Sequence, residues 1–208
     1  MRFNNKNVIL PEPLLQPVPP NDEIWYTSTD GNIVTPDTVE SLPTIVSNTY
    51  VDGKGVIKFA SDVTSIGEEA FEYCKPLASV TIPDSVTSIG KDAFFNCSYL
   101  TSVTIGNSVT SIGESAFVYC WKLTSINIPN SVTSIGKDAL RSSMSLTSMT
   151  IPNSVTSIGY MAFNGCTSLT SISYTGTIAQ YNAITKGLYW HSNVPATVVH
   201  CTDGDTAI

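Results

Sequence analysis

One five-residue phrase, Val-Thr-Ser-Ile-Gly, constrains this chain more than anything else in it. It stands unchanged at Val63–Gly67, Val86–Gly90, Val109–Gly113, Val132–Gly136 and Val155–Gly159, always 23 residues apart. A fixed period of that size marks a repeat solenoid, in which each unit buries its apolar face only against its neighbours. The 208 residues therefore predict one elongated body rather than a pair of globular domains.

The unit can be written from its first copy, Val63 to Ser85. Val63 and Ile66 are apolar, and Gly67 predicts a turn with positive φ. Ala70, Phe71, Cys74 and Leu77 follow at helix-like spacing, which predicts about two helical turns. Glu68, Glu69, Asp92, Glu114 and Asp138 fall where acids would suit the start of such a helix. Val80 and Ile82 then alternate with Ser79 and Thr81 in strand periodicity, and Pro83-Asp84 closes the unit with a turn. Three large apolar ladders run through the copies: Phe71, Phe94, Phe117, Leu140, Phe163; Leu77, Leu100, Leu123, Leu146, Leu169; and Ile66, Ile89, Ile112, Ile135, Ile158. Ala70, Ala93, Ala116, Ala139 and Ala162 stay small, where helix and strand would approach closely. Coils stacked about 4.8 Å apart would bury all of these as one continuous core. The expected class is an α/β repeat solenoid of 23-residue coils, closed by a cap at each end.

The flanks break the period. Residues 1–21 hold Pro11, Pro13, Pro17, Pro19 and Pro20, which favours an extended tail or linker. Residues 22–62 predict an N-terminal cap. In it, Ile24–Thr29 forms a strand that turns at Asp30-Gly31-Asn32 into Ile33-Val34, and Tyr50–Phe59 forms a second hairpin. A shift of 23 places Ile57 on Val80 and Phe59 on Ile82, so this cap ends in a half-repeat. Residues 63–173 are the repeats. Residues 174–208 predict a C-terminal cap with a helix over 178–184 stopped by Lys186-Gly187, a last strand Val194–Cys201, and a polar stop at Asp203-Gly204-Asp205.

The unit Leu-x-x-Val-x-Ile-Pro-x-Ser-Val-Thr-Ser-Ile-Gly-x-x-Ala-Phe-x-x-Cys, carried almost letter for letter by Leu77–Cys97, resembles the BspA-like class of leucine-rich repeats. The segment Tyr174-x-Gly176-Thr177-x-x-Gln180-Tyr181-x-x-Ile184 resembles the closing module common after such repeats. The resemblance implies a curved or near-straight right-handed solenoid with a strand lining one face. It also implies the function of a bacterial surface protein or adhesin, hence binding rather than catalysis. The N-terminus predicts otherwise for export, because the apolar run Val8-Ile9-Leu10 ends at Pro11, short of a secretory signal.

Composition narrows the partners. Charged residues are only 13% of the chain and the formal charge is −7, spread along its length. Nucleic acid demands a basic patch, so it is excluded as a partner. No run of about 18 apolar residues exists to cross a membrane.

Nothing in the sequence assembles a catalytic, cofactor or metal site. Cys74, Cys97, Cys120 and Cys166 share one repeat position, filled by Ser143 in the fourth copy, and Cys201 lies beyond the repeats. They lack the close spacing of metal ligands. Parallel Cβ vectors disfavour disulfides between coils, so free buried thiols are expected. His191 and His200 have no second ligand nearby, and neighbours such as His200 and Cys201 point to opposite faces of a strand. No Gly-rich phosphate loop is present.

Two surfaces remain for a ligand. The strand positions Ser79, Thr81, Ser102, Thr104, Ser125, Asn127, Ser148, Thr150, Ser171 and Ser173 are small and nearly uniform, and read as a hydroxyl ladder satisfying the sheet surface. Variation between copies concentrates elsewhere, at Tyr73, Phe95, Tyr99, Tyr119, Trp121, Lys122, Arg141 and Tyr160, with Met144 and Met161. Aromatic residues and arginine are favoured in contact surfaces, which makes these the candidate partner-binding residues, with partial burial against the next coil as the other reading of the aromatics. The expected function is non-enzymatic binding of a host or cell-surface protein or glycan through the solenoid. The alternative is a structural or display module of a larger assembly, attached through the proline-rich N-terminus.

Overall fold

The computed structural model of the chain describes residues 18–37 and 42–208; most of the proline-rich stretch lies outside the described residues. The repeats wind into a β-solenoid. Each coil contributes a two-residue strand from the Ser-Ile of the repeated phrase: β4 (Ser65–Ile66), β6 (Ser88–Ile89), β8 (Ser111–Ile112), β10 (Ser134–Ile135) and β12 (Ser157–Ile158). These pair in parallel, Ser on Ser and Ile on Ile, in one unbroken ladder that ends on β14 (Thr185–Lys186). The threonine of the phrase reinforces it: Thr87, Thr110, Thr133 and Thr156 each donate both N–H and Oγ1–H to the carbonyl of the threonine one coil earlier.

The second strand of each coil forms a longer ladder, and this one is interrupted. Strands β5 (Leu77–Thr81), β7 (Ser102–Thr104) and β9 (Ser125–Asn127) pair in parallel, as do β11 (Ser148–Ile151), β13 (Ser171–Tyr174) and β15 (Val198–Cys201). No backbone pairing joins β9 to β11. Thr101, Thr124 and Thr170 bond back to the preceding coil through both N–H and Oγ1–H, whereas Thr147 makes neither bond. The break falls at the copy whose core departs most from the others, with Leu140, Ser143 and Met149 in place of phenylalanine, cysteine and valine or isoleucine.

The limb between the two ladders is not helical, which corrects the α/β expectation. Among the described residues the one α-helix is α1 (Ile178–Ala183), outside the regular coils. In the limb, N–H groups alternate between neighbours. Those of Glu69, Phe71 and Tyr73 donate to carbonyls of the next coil, at Lys91, Ala93 and Phe95 (2.7–3.0 Å). Those of Glu72 and Cys74 turn back to Glu69 and Phe71. The same pattern recurs in the following coils, with left-handed residues such as Glu69, Tyr73, Asp92, Asn96, Ser115, Tyr119, Asp138 and Ser142 at the turns (φ +52 to +60°). The reason is spacing. Phe71, Phe94 and Phe117 stack nearly face to face with centroids 5.1 Å apart, so one coil advances by about one strand width on this side too. A helix needs about 10 Å of width, and seven residues of helix are marginal alone. A third inter-coil ladder fits where a helix does not.

The acids expected at helix starts are therefore placed differently. Glu69, Asp92 and Asp138 occupy left-handed turn positions, while Glu68 and Glu114 pair with Lys91 and Lys137 one coil on, at 2.7 Å each. Gly67 and its counterparts do not take positive φ. They are glycine because backbones meet there: a Cβ on Gly113 would lie 2.6 Å from the carbonyl of Gly90, and one on Gly136 the same from that of Gly113.

The predicted ladders form the core. All members of the phenylalanine, leucine, isoleucine and alanine ladders are buried, and the cluster runs without interruption from Ile24 to Val199.

At the N-terminal end, β2 (Ile45–Val51) and β3 (Lys54–Phe59) form the expected hairpin, turning at Asp52 and Gly53 with φ of +49° and +80°. The other predicted hairpin is absent. Asp30-Gly31-Asn32 does turn, with Asn32 N–H donating to Asp30 Oδ1, but 33–34 is not a strand. The strand before it, β1 (Glu23–Ser28), is inserted antiparallel between β3 and β5, so both its edges are already used. At the other end, Lys186-Gly187 is no helix stop. It continues the solenoid as β14, and Gly187 joins the glycine contacts against Tyr160. The last strand begins at Val198, and the predicted polar stop opens a hairpin into β16 (Gly204–Ala207).

Candidate functional site

The variable residues of the limb lie on the outside of the third ladder, where successive coils bring them within ring contact. Tyr73 meets Phe95 edge-on at 5.5 Å, Phe95 meets Tyr119 at 5.6 Å, and Tyr119 meets Trp121 at 6.2 Å. A continuous aromatic row thus crosses three coils. Tyr73, Tyr99 and Trp121 keep 55%, 52% and 45% of their surface exposed, and Phe95 and Tyr119 are half-buried beneath them. The backbone adds to the unusual character of this row. Tyr73 and Tyr119 are left-handed at φ +53° and +58°, in a position that other coils fill with Asn96, Ser142 and Gly165. Bulky side chains are rare in that conformation, and such strain gathers at functional sites.

Beside the row lies a groove of about 330 Å³ lined by Lys75, Asn96, Ser98, Tyr99, Trp121 and Lys122. Of the sequence candidates, the structure therefore brings together Tyr73, Phe95, Tyr99, Tyr119, Trp121 and Lys122. It sets apart the other two. Arg141 is half-buried and held by Asp138 at 3.6 Å, and Tyr160 packs edge-on against Tyr189 at 6.0 Å, two coils beyond Trp121. Lys75, Asn96 and Ser98 were missed by the sequence reading. Aligning the copies places Lys75 and Ser98 in one column with Trp121 and Met144, and Asn96 in another with Tyr73 and Tyr119.

The strand face is chemically plainer. A groove of about 490 Å³ lies over the break between β9 and β11, lined by residues such as Ser102, Thr104, Ser125, Asn127, Ser148 and Thr150, with no aromatic or charged group. Of the ten strand positions read as a hydroxyl ladder, only Ser79 is side-chain bonded, to Thr27 Oγ1 at 2.7 Å. The actual hydroxyl ladders are those of the threonines next to each strand.

No arrangement in the described residues resembles an acid–base or nucleophile constellation. The cysteines are free, and Cys97, Cys120 and Cys166 donate S–H to the carbonyls of Phe71, Phe94 and Leu140 one coil earlier; Ser143 makes the same bond to Phe117. Burial pushes the Cys74 thiol up to about 11 and that of Cys166 to about 12, so they carry no thiolate at neutral pH. His200 Nδ1 faces Asp205 Oδ1 at 2.8 Å rather than Cys201. Burial lowers the pKa of His191, which packs against Trp190. Oxygens of Glu68, Glu69 and Asp92 lie within 4.8 Å of one another, and Lys91 Nζ bridges Glu68 and Asp92 at 2.7 and 3.1 Å. A lysine already supplies the counter-charge there.

The BspA-type leucine-rich repeat profile matches six copies over residues 55–186, and the chain belongs to that family. The predicted half-repeat does not stack directly on the first coil, because β1 lies between β3 and β5. Among solved structures, the leucine-rich repeat protein of T. pallidum is 29% identical with a TM-score of 0.54, over 68% of each chain. A leucine rich cell surface protein of Faecalibacterium prausnitzii A2-165 is 30% identical with a TM-score of 0.48, over 79% of this chain and 48% of its own. The pneumococcal vaccine antigen PcpA is 22% identical with a TM-score of 0.55, over 77% of this chain and 38% of its own, a likeness of fold alone. The chain thus spans about two thirds of the first of these and less than half of the other two. No curated protein matches it significantly. Repeat solenoids of this family type are interaction modules whose extended surfaces bind partners.

Proposed function

We propose that this protein is a non-enzymatic adhesion module that binds a host or cell-surface protein or glycan through the outer face of its turn limb. The residues in contact are Tyr73, Phe95, Tyr99, Tyr119, Trp121 and Lys122, with Arg141 and Tyr160 extending the same flank. In this reading residues 63–173 present the surface, and residues 22–62 and 174–208 close the two ends. The observation that carries the proposal is the exposed aromatic row held partly on left-handed tyrosines. A chain free to choose asparagine or glycine there, as its other coils do, instead holds large apolar rings in solvent. Neither the fold nor solubility calls for that, whereas contact surfaces are enriched in such exposed aromatic rings.

The test is binding of the purified chain to an array of matrix proteins and glycans, beside a Tyr99→Ala, Tyr119→Ala, Trp121→Ala variant. Loss of about tenfold or more in affinity is expected, as for aromatic anchors elsewhere. Undiminished binding would move the site to the strand face or the ends. Absence of any binding would favour a structural module.

A further inference from the structure

The groove beside the aromatic row differs from the rest of the surface in its charge. Eight lysines and arginines lie within the described residues, and six of them have a partner. Lys58 pairs with Asp22 and Glu23, Lys91 with Glu68 and Asp92, Lys137 with Glu114, and Arg141 with Asp138. Lys54 Nζ lies 3.2 Å over the Trp25 ring, and Lys186 Nζ lies over Tyr181 at 4.2 Å while donating to its carbonyl. The two that remain, Lys75 and Lys122, both line this groove, and no carboxylate lines it with them. In a chain of net charge −7, with acids outnumbering bases 17 to 10, the two cations without any partner among the described residues line one aromatic-walled depression.

From this we infer that the groove is a subsite for an anionic glycan, a sugar chain bearing carboxylate or sulfate groups on its pyranose rings. The inference rests on the adhesion reading above and names the ligand class at the same surface. A pyranose has an apolar C–H face and a polar rim. The exposed rings of Tyr99 and Trp121 offer negatively charged π-faces on which such a face can lie. The side-chain amide of Asn96 and hydroxyl of Ser98 stand ready for the rim. Lys75 and Lys122 belong to coils two steps apart, and each step is 5.1 Å between stacked rings, so their positive charges can engage separate anionic groups along one chain. The groove of about 330 Å³ has room for a sugar or two of such a chain.

The experiment is calorimetric titration of the full chain with four probes: a hexasaccharide of alternating uronic acid and N-acetylglucosamine, its sulfated counterpart, a neutral hexaglucoside, and poly-glutamate. Variants are Lys75→Gln, Lys122→Gln and Trp121→Ala, with Lys137→Gln as a control that removes the same charge elsewhere. Binding is expected for at least one anionic glycan and not for the neutral one, weakening as salt rises. Each groove lysine should contribute roughly two- to fivefold and Trp121 roughly tenfold, with Lys137→Gln unchanged. Equal binding of the neutral probe, equal loss in Lys137→Gln, or binding of poly-glutamate in preference to both glycans would each overturn the anionic-glycan assignment. So would silence with all glycans while an array protein still loses affinity in the aromatic variant, an outcome that leaves the adhesion reading standing. Array binding insensitive to the aromatic variant would overturn that reading instead.

Discussion

Glycine and threonine in the repeated phrase are fixed by contacts between coils, not by the conformation of one coil. At Gly136 a Cβ would come within 2.7 Å of Gly113 O, 2.6 Å of its carbonyl carbon and 2.8 Å of Glu114 N, all backbone atoms with little room to yield. Gly136→Ala should therefore destabilise the chain by about 1–3 kcal/mol, the usual penalty for overpacking. Equilibrium unfolding in urea measures it, and an unchanged midpoint would show that the coils can separate at that point without loss. The sequence shows that these glycines are glycine in every copy, but attributes them to positive φ. Only the stacked backbones show close approach as the cause. The cysteine position was better legible, since free buried thiols were expected there, and the structure adds the hydrogen bond to the preceding coil that Ser143 shares.

The element that sequence periodicity misjudged is the limb. Ala70, Phe71, Cys74 and Leu77 are spaced as on a helix because a chain of tight turns also brings every third or fourth residue inward. Periodicity sees the inward residues and not the destination of the N–H groups between them. The strands were legible, but their uniform spacing carries no mark of the break between β9 and β11. Thr124, Thr147 and Thr170 are all exposed and occupy the same repeat position, but only Thr147 lacks the bond to the preceding coil. Its amide should exchange with deuterium faster than those of Thr124 and Thr170, a comparison that peptide-resolved or NMR exchange makes directly. Equal protection at all three would mean that the ladder closes in solution.

Across the whole molecule, three ladders of inter-coil hydrogen bonds enclose one continuous core and leave two long faces of contrasting chemistry. One is a uniform hydroxyl surface on the strands; the other is an aromatic row with a lysine-flanked groove on the turn limb. Architecture was legible in the sequence because the core repeats every 23 residues. The candidate surface was legible only in part. Its aromatics stand out as departures from the repeat, but Lys75 joins Tyr99 and Trp121 only once the coils are stacked. The two faces also carry separate tryptophans: Trp121 lines the limb groove, and Trp25 lines a depression on the strand side with Thr81, Thr104 and Asn127. Oxidative footprinting with and without the strongest ligand from the array therefore reads both faces in one sample. Protection of Trp121, Tyr99 and Tyr73 with Trp25 unchanged is the predicted result. Protection of Trp25 with Trp121 unchanged would contradict the account and place the ligand on the strands.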